Sequence, residues 1–318
     1  MTSVPAGRSV AVRVPASSAN LGPGFDSLGL ALGLWDEYLF TTVAEPGLRV
    51  EVTGEDAADV PTDESHLVLA TMWHTWDLLG AKPPAGLALE ARNGIPHGRG
   101  LGSSAAAIVA GVVAAQALSA RCLPGRGSEV AIDLELAGDV SSRLEGHPDN
   151  ASASVHGGLT VSLIPDDSGR DAGDRTVTAS PALHPDVDVV VFVPQEQLPT
   201  RTARAVLPES VPLAAAAANA GRAALLVHAL TTEPRHLHPA TRDWLHQDAR
   251  RTAYPDSMGL VDALRADGHA AVISGAGPSV LVLTRRAVAD AVQAGGPAGR
   301  WRRLMPGIPQ RGVVVTVA

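Results

Sequence analysis

Hydrophobic and polar positions alternate along much of the chain with two distinct periods. Apolar residues at every second position, bounded by turn residues, predict strands. These strands cover residues 9–14, 35–43, 48–52, 86–91 and 159–164 in the first half, and residues 187–193, 270–274, 279–283 and 312–317 in the second. Apolar residues at helical spacing predict helices over residues 67–79, 105–120, 130–144, 211–230 and 259–267.

Two polar stretches interrupt this pattern. Residues 15–24 are rich in Ser, Gly, Asn and Pro, and they predict a loop. Residues 165–185 contain many Asp, Gly, Ser and Thr residues and predict a surface connection between domains, with room for an exposed hairpin. The length of 318 residues also favours two domains.

A third polar stretch, residues 94–102, is a loop that runs directly into the alanine-rich helix. Three glycines stand at alternating positions in it, Gly98, Gly100 and Gly102. Glycines allow the backbone to approach a bulky anion, and the free N–H groups and positive dipole end of the helix would face the same anion. Ser103 and Ser104 add two hydroxyls at the first helical turn. The segment therefore predicts a phosphate-binding loop.

Two other interpretations of this loop were weighed. It could be an ordinary loop, with Ser103 as the N-cap of the helix. It could also be a dinucleotide-binding turn, but the glycine spacing differs and the strands upstream do not form the required βαβ unit. A P-loop of the Walker type is excluded because it ends in Gly-Lys-Ser/Thr, and the one lysine, Lys82, lies in a proline-rich turn.

Composition narrows the function classes. The net charge of −8 argues against a general nucleic-acid binder, which needs a basic face. A single cysteine rules out an intrachain disulfide and a thiolate zinc cluster. The first ten residues contain no signal-peptide core, and no uninterrupted apolar run reaches the roughly 20 residues of a membrane helix. We therefore predict a cytoplasmic protein with no nucleic-acid or membrane partner.

Three motifs together resemble the GHMP kinase family. The first runs from Pro15 to Asp26 as Pro-Ala-Ser-Ser-Ala-Asn-Leu-Gly-Pro-Gly-Phe-Asp. The second is the glycine-rich segment from Ile95 to Ala106, and the third is Ser-Gly-Ala-Gly-Pro-Ser from Ser274. Within the family, the form of the first motif is similar to that of the members that phosphorylate homoserine. Two further segments, Glu-Gly-His-Pro-Asp-Asn at residues 145–150 and Leu-His-Gln…Arg at residues 245–250, are also similar to those members.

The resemblance implies an α+β, two-domain GHMP kinase fold. Residues 1–165 would form an ATP-binding α/β domain resembling ribosomal protein S5 domain 2. Residues 166–318 would form a ferredoxin-like domain, and the active site would lie in the cleft between the two domains.

The resemblance also implies ATP and Mg²⁺ as cofactors. The predicted ATP-binding residues are Pro96, His97, Gly98, Arg99, Gly100, Leu101, Gly102, Ser103, Ser104, Ala105 and Ala106. Ser104 and Glu145 would hold the metal, which takes oxygen ligands. Without the motif, Glu145 would be interpreted as a solvated carboxylate at a helix end.

The implied substrate is L-homoserine, whose phosphorylation is a step of threonine biosynthesis. Asp26 is a natural partner for its ammonium, and two arginines suit its carboxylate because the guanidinium fork binds it in a bidentate manner. The predicted substrate-binding residues are Asn20, Asp26, Thr200, Arg204, Arg250 and Gly275. Taken singly, each arginine is more simply interpreted as a solvated surface residue.

The predicted catalytic residues are Asn150, His147 and Asp149. Asn150 would hold the attacking hydroxyl, with His147 close by. Phosphoryl transfer through a loose transition state needs no dedicated base, because the hydroxyl loses its proton late. Asp149 is the one nearby carboxylate that could act as a base, and this stays an alternative hypothesis.

The sequence departs from the family pattern in two places. His97 stands where an aliphatic residue is usual, and Asp248 and Ala249 replace a common Pro-Tyr before Arg250. Other hypotheses are a mevalonate- or sugar-type kinase of the same family and a ligand sensor without catalytic activity. The resemblance leaves a homodimer open alongside a monomer.

Overall fold

The computed structural model describes residues 2–165, 175–295 and 299–318, apart from the side chains of Thr2 and Thr200. The described strands are β1 (Thr2–Ser3), β2 (Ser9–Ala19), β3 (Leu28–Val43), β4 (Gly47–Gly54), β5 (Ala81–Lys82), β6 (Gly86–Asn93), β7 (Leu159–Leu163), β8 (Val177–Ala179), β9 (Val187–Pro194), β10 (Ala270–Ile273), β11 (Val280–Arg285), β12 (Trp301–Leu304) and β13 (Val314–Val317). The described α-helices are α1 (Leu67–Leu78), α2 (Ser103–Ser119), α3 (Leu134–Glu145), α4 (Asp149–His156), α5 (Thr200–Ala205), α6 (Leu213–Thr231), α7 (Leu237–Ala240) and α8 (Pro255–Ala266).

The larger sheet has the strand order β13-β2-β3-β6-β4, and β7 and β8 extend it from β3. Its pairs are antiparallel except β4 with β6. Every second residue of β2, namely Val10, Val12 and Val14, is completely buried. This period-two burial is what the alternating sequence predicts. The buried face packs against α2, which contacts β2 closely.

Helix α2 is the central helix of this half. Ala, Val and Ile occupy eleven of its seventeen positions, and most of them are buried, including Val109, Val112 and Val113 at 0% exposure. A helix that is apolar on all faces must be covered on all faces. The surrounding elements are α1, α3, α4 and the sheet. The core position of α2 fixes its N-terminus, and with it the glycine-rich loop, at the edge of the sheet.

The smaller sheet has the order β10-β11-β9-β12 and is antiparallel throughout. Both faces of β9 are buried. Val189 and Val191 point to the core that contains Leu226 and Leu230 of α6, whereas Val190 and Phe192 point to a second core under α8. The continuous Val run of this strand is typical of a strand covered on both sides. Two sheets with packed helices confirm the predicted α+β architecture.

Two strands from the second half of the chain pair with the larger sheet. Strand β8 pairs with β7, and β13 pairs with β2. The exposed hairpin for which residues 165–185 left room stays a prediction, because part of that segment lies outside the described residues. The predicted boundary at residues 165 and 166 borders the segment 166–174, which lies outside the described residues. The domain boundary therefore stays a prediction. Strand β13 shows that the C-terminal part of the chain returns to the larger sheet.

Several elements differ from the sequence prediction. Residues 15–19 were predicted as a loop but continue β2, with a bulge between Pro15 and Ala16. Helix α4 was not predicted. Helix α8 begins at Pro255 rather than at residue 259, because proline suits the first helical turn.

Helix α6 is long and apolar enough to cross a membrane by length and composition alone, which by itself is weak evidence. Asn219 and Arg222 interrupt its apolar sequence, and most of its residues are not buried. The absence of a membrane partner stays a prediction.

Asp36, on β3, anchors the start of the glycine-rich loop. It is 1% exposed, and its Oδ1 accepts hydrogen bonds from the backbone N–H groups of Gly94 at 2.8 Å and Ile95 at 3.0 Å. The Tyr38 hydroxyl donates to its Oδ2 at 3.1 Å. Burial raises the pKa of Asp36 from 3.8 to about 6, although these hydrogen bonds oppose the shift.

We expect the stability difference between the native protein and Asp36→Asn to depend on pH. A carboxyl whose folded pKa lies above its unfolded value contributes stability below the unfolded pKa, and this contribution is lost as the pH rises through the folded pKa. The window is therefore 3.8 to about 6. On lowering the pH from about 7 to about 4, the free energy of unfolding of the native protein should rise relative to Asp36→Asn, by up to about 3 kcal/mol.

Urea denaturation of both proteins across this range measures the difference. The amide keeps an acceptor for Gly94 and Ile95 but cannot ionise. A difference that stays flat with pH would show that Asp36 titrates normally in the folded protein.

Candidate active site

Three distant segments meet in one cleft of about 700 Å³, including its solvent-open mouth. They are the end of β2 with the loop that follows, the glycine-rich loop, and the turn between β10 and β11. Ser274 Oγ lies 2.6 Å from the carbonyl oxygen of Gly100 and 2.8 Å from Ser18 Oγ. Its hydroxyl thus links all three segments, and further backbone hydrogen bonds reinforce the contact.

The glycine-rich loop depends on its glycines. Gly98, Gly100 and Gly102 have φ angles of 62°, 71° and 72°. At Gly100 a Cβ would lie 2.2 Å from the carbonyl oxygen of Ser274. A side chain at this position is therefore excluded by both conformation and space.

Helix α2 starts at Ser103 with no side-chain cap. The first N–H groups of a helix have no intrahelical partner, and here they lie at the cleft, which Gly102, Ser103, Ser104 and Ala105 line. This is the arrangement that binds phosphate at a helix N-terminus. The alternative in which Ser103 caps the helix does not describe the structure.

Ser104 and Glu145 come together at the cleft. The Ser104 hydroxyl donates to Glu145 Oε1 at 2.5 Å. Glu145 ends α3, and Gly146 follows with a φ angle of 81°, which turns the chain toward His147. Both predicted metal ligands thus offer oxygen atoms to one point, the ligand type that Mg²⁺ requires.

A chain of charged groups continues from Glu145. His147 Nε2 lies 3.6 Å from Glu145 Oε2, and His147 Nδ1 lies 3.0 Å from Asp149 Oδ1. Burial favours a lower pKa for His147, but the hydrogen bond to Asp149 and the charges of Asp149 and Glu145 outweigh it and raise the pKa above 6.5. The cleft therefore favours the imidazolium form of His147.

Asn150 follows Asp149 in α4 and lines the cleft. Its Oδ1 accepts a hydrogen bond from Ser17 Oγ at 3.0 Å, and its backbone N–H donates to Asp149 Oδ1 at 2.7 Å. The Oδ1 atom of Asp149 is thus shared between His147 and the backbone of Asn150.

Asp26 and Arg204 form a two-pronged ion pair, and Arg204 lines the cleft. The Nη2–Oδ1 distance is 2.6 Å and the Nη1–Oδ2 distance is 3.2 Å. Asn20 accepts from the Asp26 backbone N–H and donates to the carbonyl oxygen of Gly275 at 3.0 Å. The residues predicted to bind the two charged ends of a substrate are therefore paired with each other.

Arg250 is the second predicted arginine, and it is almost fully buried, at 1% exposure. It lines the cleft, its Nε donates to the carbonyl oxygen of Ala203, and its Nη1 lies 3.2 Å from His246 Nδ1. No carboxylate of the described residues lies within ion-pair distance of its guanidinium. A buried cation without a carboxylate at the cleft is suited to an anionic ligand.

The neighbouring arginines are different. Arg251 pairs with Asp248 and Asp262 at the surface, and Arg201 is exposed.

Not every predicted site residue lines the cleft. Asp26 does not line it, although its partner Arg204 does, and Pro96 and Ala106 are buried. The His97 N–H donates to Asp56, and Arg99 forms an ion pair of 2.8 Å with Asp56 and donates to the carbonyl oxygen of Pro194. Arg99 thus fastens the loop to β9. Thr200 begins α5, and its side chain lies outside the described residues.

Sequence reasoning missed some residues of the site. Ala19 and Ala276 line the cleft beside Asn20 and Gly275, and their adjacency to these residues could have indicated them. Ser17 and Phe25 lie within the first motif, yet nothing in their spacing indicates the contacts that they make. His246 contacts Arg250 four residues along the chain, at helical spacing.

Comparisons with known proteins match both halves of the chain. Residues 66–158 match "GHMP kinases N terminal domain", and residues 214–298 match "GHMP kinases C terminal". The chain is 48% identical over 307 residues to a homoserine kinase of Streptomyces coelicolor, covering 96% of this chain and 94% of that protein.

Two solved structures are similar along most of the chain. A homoserine kinase from Cytophaga hutchinsonii has a TM-score of 0.78 at 24% identity, covering 97% of each chain. A putative homoserine kinase from Listeria monocytogenes has a TM-score of 0.68 at 27% identity, covering 97% of this chain and 100% of that one. The similarity confirms the predicted two-domain fold.

We expect Gly100→Ala to abolish ATP-dependent activity and Gly98→Ala to reduce it mildly. Both positions have positive φ angles, but a Cβ at Gly98 would meet only the flexible side chain of Gln197, at 3.3 Å. At Gly100 it would collide with backbone atoms of Ser274 and Gly277. The conformational cost of a side chain at a positive φ angle is common to both variants. The difference between the two variants therefore reports the effect of the contact between the loop and the second half of the chain.

Nucleotide affinity by titration calorimetry and the thermal midpoint check this expectation. Gly125→Ala serves as a control, because a Cβ there has nothing within 4 Å. Equal nucleotide affinities for Gly98→Ala and Gly100→Ala would show that the loop does not need its contact with Ser274.

Proposed function

The chain belongs to the GHMP kinase family, and from this premise we propose that it is a homoserine kinase, which transfers the γ-phosphoryl group of ATP to the hydroxyl of L-homoserine. The observation that carries the substrate assignment is the pair of arginines beside one carboxylate. Asp26 and Arg204 neutralise each other, and Arg250 remains a buried cation without a carboxylate partner among the described residues. An amino acid supplies the missing anion together with an ammonium.

The nucleotide phosphates are bound at the start of α2. The N–H groups of the first turn and the open backbone of the loop supply the positive potential that a lysine supplies in Walker-type enzymes. Lys82 lies outside the cleft. The γ-phosphoryl group is then directed toward Asn150, whose Oδ1 would lie 3.1 Å from a Cβ on Gly102.

Ser104 and Glu145 fit a Mg²⁺ ion, because both offer oxygen ligands and both border the phosphate site. When bound, the ion neutralises charge on the phosphate oxygens. A kinase usually binds this metal with few protein ligands, since the phosphates and water complete its coordination. This agrees with the absence of a cluster of three or more metal-binding side chains among the described residues.

The attacking hydroxyl is held by Asn150, whose side chain is fixed by Ser17. Burial lowers the pKa of His147, but Asp149 and Glu145 on either side of its ring outweigh burial and raise it. We propose that the hydroxyl loses its proton late, without a dedicated base. Asp149 as a general base is the alternative.

The enzyme acts on a small molecule, and we propose that it is cytoplasmic and contributes to threonine biosynthesis. A homodimer stays a prediction, as does the absence of nucleic-acid and membrane partners.

We expect L-homoserine to be phosphorylated in preference to compounds that lack one of its charged ends. Aminopropanol lacks the carboxylate and leaves Arg250 unpaired, and γ-hydroxybutyrate lacks the ammonium that would replace Arg204 as the partner of Asp26. Each loss should lower kcat/KM by about 10- to 100-fold, the value of one charge-assisted hydrogen bond. Homoserine-dependent ADP release in a coupled assay, with mevalonate and galactose as further acceptors, measures this preference.

Arg250→Gln should raise the KM for homoserine by a similar factor and leave that for aminopropanol almost unchanged. Arg251→Gln is the matched control, because that arginine is paired at the surface. Phosphorylation of mevalonate or galactose but not homoserine would assign another kinase of the family, and no ADP release with any acceptor would favour a sensor.

We expect Asp149→Asn to lower kcat by about 10-fold or less. A general base contributes about 10²- to 10⁴-fold, whereas loss of the carboxylate beside His147 changes only the local charge. Steady-state kinetics with saturating ATP give kcat and the KM for homoserine. A fall of kcat by several orders of magnitude with an unchanged KM would establish Asp149 as the base.

A further inference from the structure

His246 is buried, at 1% exposure, and it takes no part in the site described above except through Arg250. Its Nε2 lies 2.8 Å from the carbonyl oxygen of Gly22, in the loop that follows β2. Its Nδ1 lies 3.2 Å from Arg250 Nη1. The imidazole ring therefore stands between the first motif and the arginine that lines the cleft.

The two partners fix the proton on the ring. A carbonyl oxygen can only accept a hydrogen bond, so Nε2 must carry the hydrogen. A guanidinium can only donate, so Nδ1 must present its lone pair. The neutral Nε2–H tautomer alone satisfies both contacts. An imidazolium would place an N–H group on Nδ1 against the N–H groups of Arg250.

The surroundings of the ring hold this orientation. The Phe25 ring stacks on it with a centroid distance of 5.1 Å and an interplanar angle of 26°. The Asp243 carboxylate accepts hydrogen bonds from the backbone N–H groups of residues 245 to 247, and its Oδ1 lies 3.7 Å from Nε2. The charged groups that act on the ring are Asp243, Arg250 and Asp26, and burial exceeds their effect and lowers the pKa of His246.

Arg250 depends on this ring for its position. The carbonyl oxygen of Ala203 holds Nε at 2.8 Å, and His246 holds Nη1. Two contacts on different nitrogen atoms fix the plane of a guanidinium. Phe25 lies 5.7 Å from the guanidinium carbons of Arg250 and of Arg204, so one aromatic ring supports both arginines and His246.

We propose that His246, as the neutral Nε2–H tautomer, is a positioning residue that orients Arg250 toward the carboxylate of the amino-acid substrate. This inference rests on the proposed function. It adds that recognition of the substrate carboxylate depends on a residue that does not itself contact the substrate. The ring also ties Arg250 to the loop that carries Asp26. The groups that bind the two charged ends of the substrate are thereby held in fixed positions relative to each other.

Two substitutions separate the two hydrogen bonds of the ring. The amide of asparagine reaches about as far as Nδ1, so His246→Asn keeps an acceptor for Arg250 and loses the contact with Gly22. The amide of glutamine reaches about as far as Nε2, so His246→Gln keeps a donor for Gly22 and loses the acceptor for Arg250. His228→Gln is the matched control, because His228 is an exposed histidine on α6.

The expected result is a rise of about 10-fold in the KM for homoserine in His246→Gln, with kcat and the KM for ATP within about 2-fold. His246→Asn should restore the KM for homoserine to within about 3-fold of the native value. In an Arg250→Gln background, His246→Gln should change this KM by less than about 2-fold, because the two residues act as one unit. A general structural role would instead lower kcat and thermal stability in both backgrounds.

Nitrogen NMR of the histidine side chains tests the tautomer in the native protein, so the proposal stays testable if a variant does not fold. The signals that disappear in a His246 variant should report a protonated Nε2 and an unprotonated Nδ1 at neutral pH. A protonated Nδ1 overturns the proposal, and so does an unchanged KM for homoserine in a folded His246→Gln. If the native protein releases no ADP with homoserine, the proposed function has failed, whereas a failure of the variants alone refutes only the role of His246.

Discussion

The contact between the glycine-rich loop and the turn after β10 is the constraint on which the rest of the site depends. The Ser274 hydroxyl reaches the carbonyl oxygen of Gly100 at 2.6 Å, and a Cβ at Gly100 would lie 2.2 Å from the carbonyl oxygen of Ser274. The two halves of the chain can approach this closely only because the loop has no side chain there. Through Ser18, the same hydroxyl also fixes the end of β2. The proposed phosphate site and the proposed substrate site are thus both positioned by this contact.

The charged groups of the cleft fit the proposed function. On the proposed nucleotide side, the backbone N–H groups at the start of α2 supply the positive potential, and Arg99 of the glycine-rich loop is paired with Asp56. The acidic groups Glu145 and Asp149 lie on either side of His147 and raise its pKa against the effect of burial. Arg204 and Arg250 line the same cleft, and Arg204 is close enough to His147 to act on its pKa. In the proposed function the polyanion and the amino acid use different binding groups of this one cleft.

Sequence reasoning predicted the central features of this arrangement and missed others for physical reasons. Alternating valines in β2 and the alanine-rich pattern of α2 are strong local signals, and both elements were predicted. Helix α4 was missed because Asp, Asn and Ser favour turns and caps when considered locally. In the folded chain its residues Ala151 to Val155 are buried, and packing overrides their weak propensity. The strand over residues 15–19 was missed for a similar reason, since small residues there pair with β3 along its bulged register.

The site residues show the limit of local sequence patterns, which do not predict contacts between residues that are distant along the chain. Ser104, Glu145 and Arg250 were identified through motifs, and the structure brings them to one cleft. The pairing of Asp26 with Arg204 could not be predicted, because it joins residues 178 positions apart. It has a physical consequence for recognition. A ligand with both an ammonium and a carboxylate can replace this internal pair by one new pair at Asp26 and another at Arg204, whereas a ligand with a single charge that breaks the pair leaves either the carboxylate or the guanidinium unmatched. The free-energy cost of that unmatched charge therefore favours a ligand with both charges. This selectivity follows from an ion pair that is present before any ligand binds.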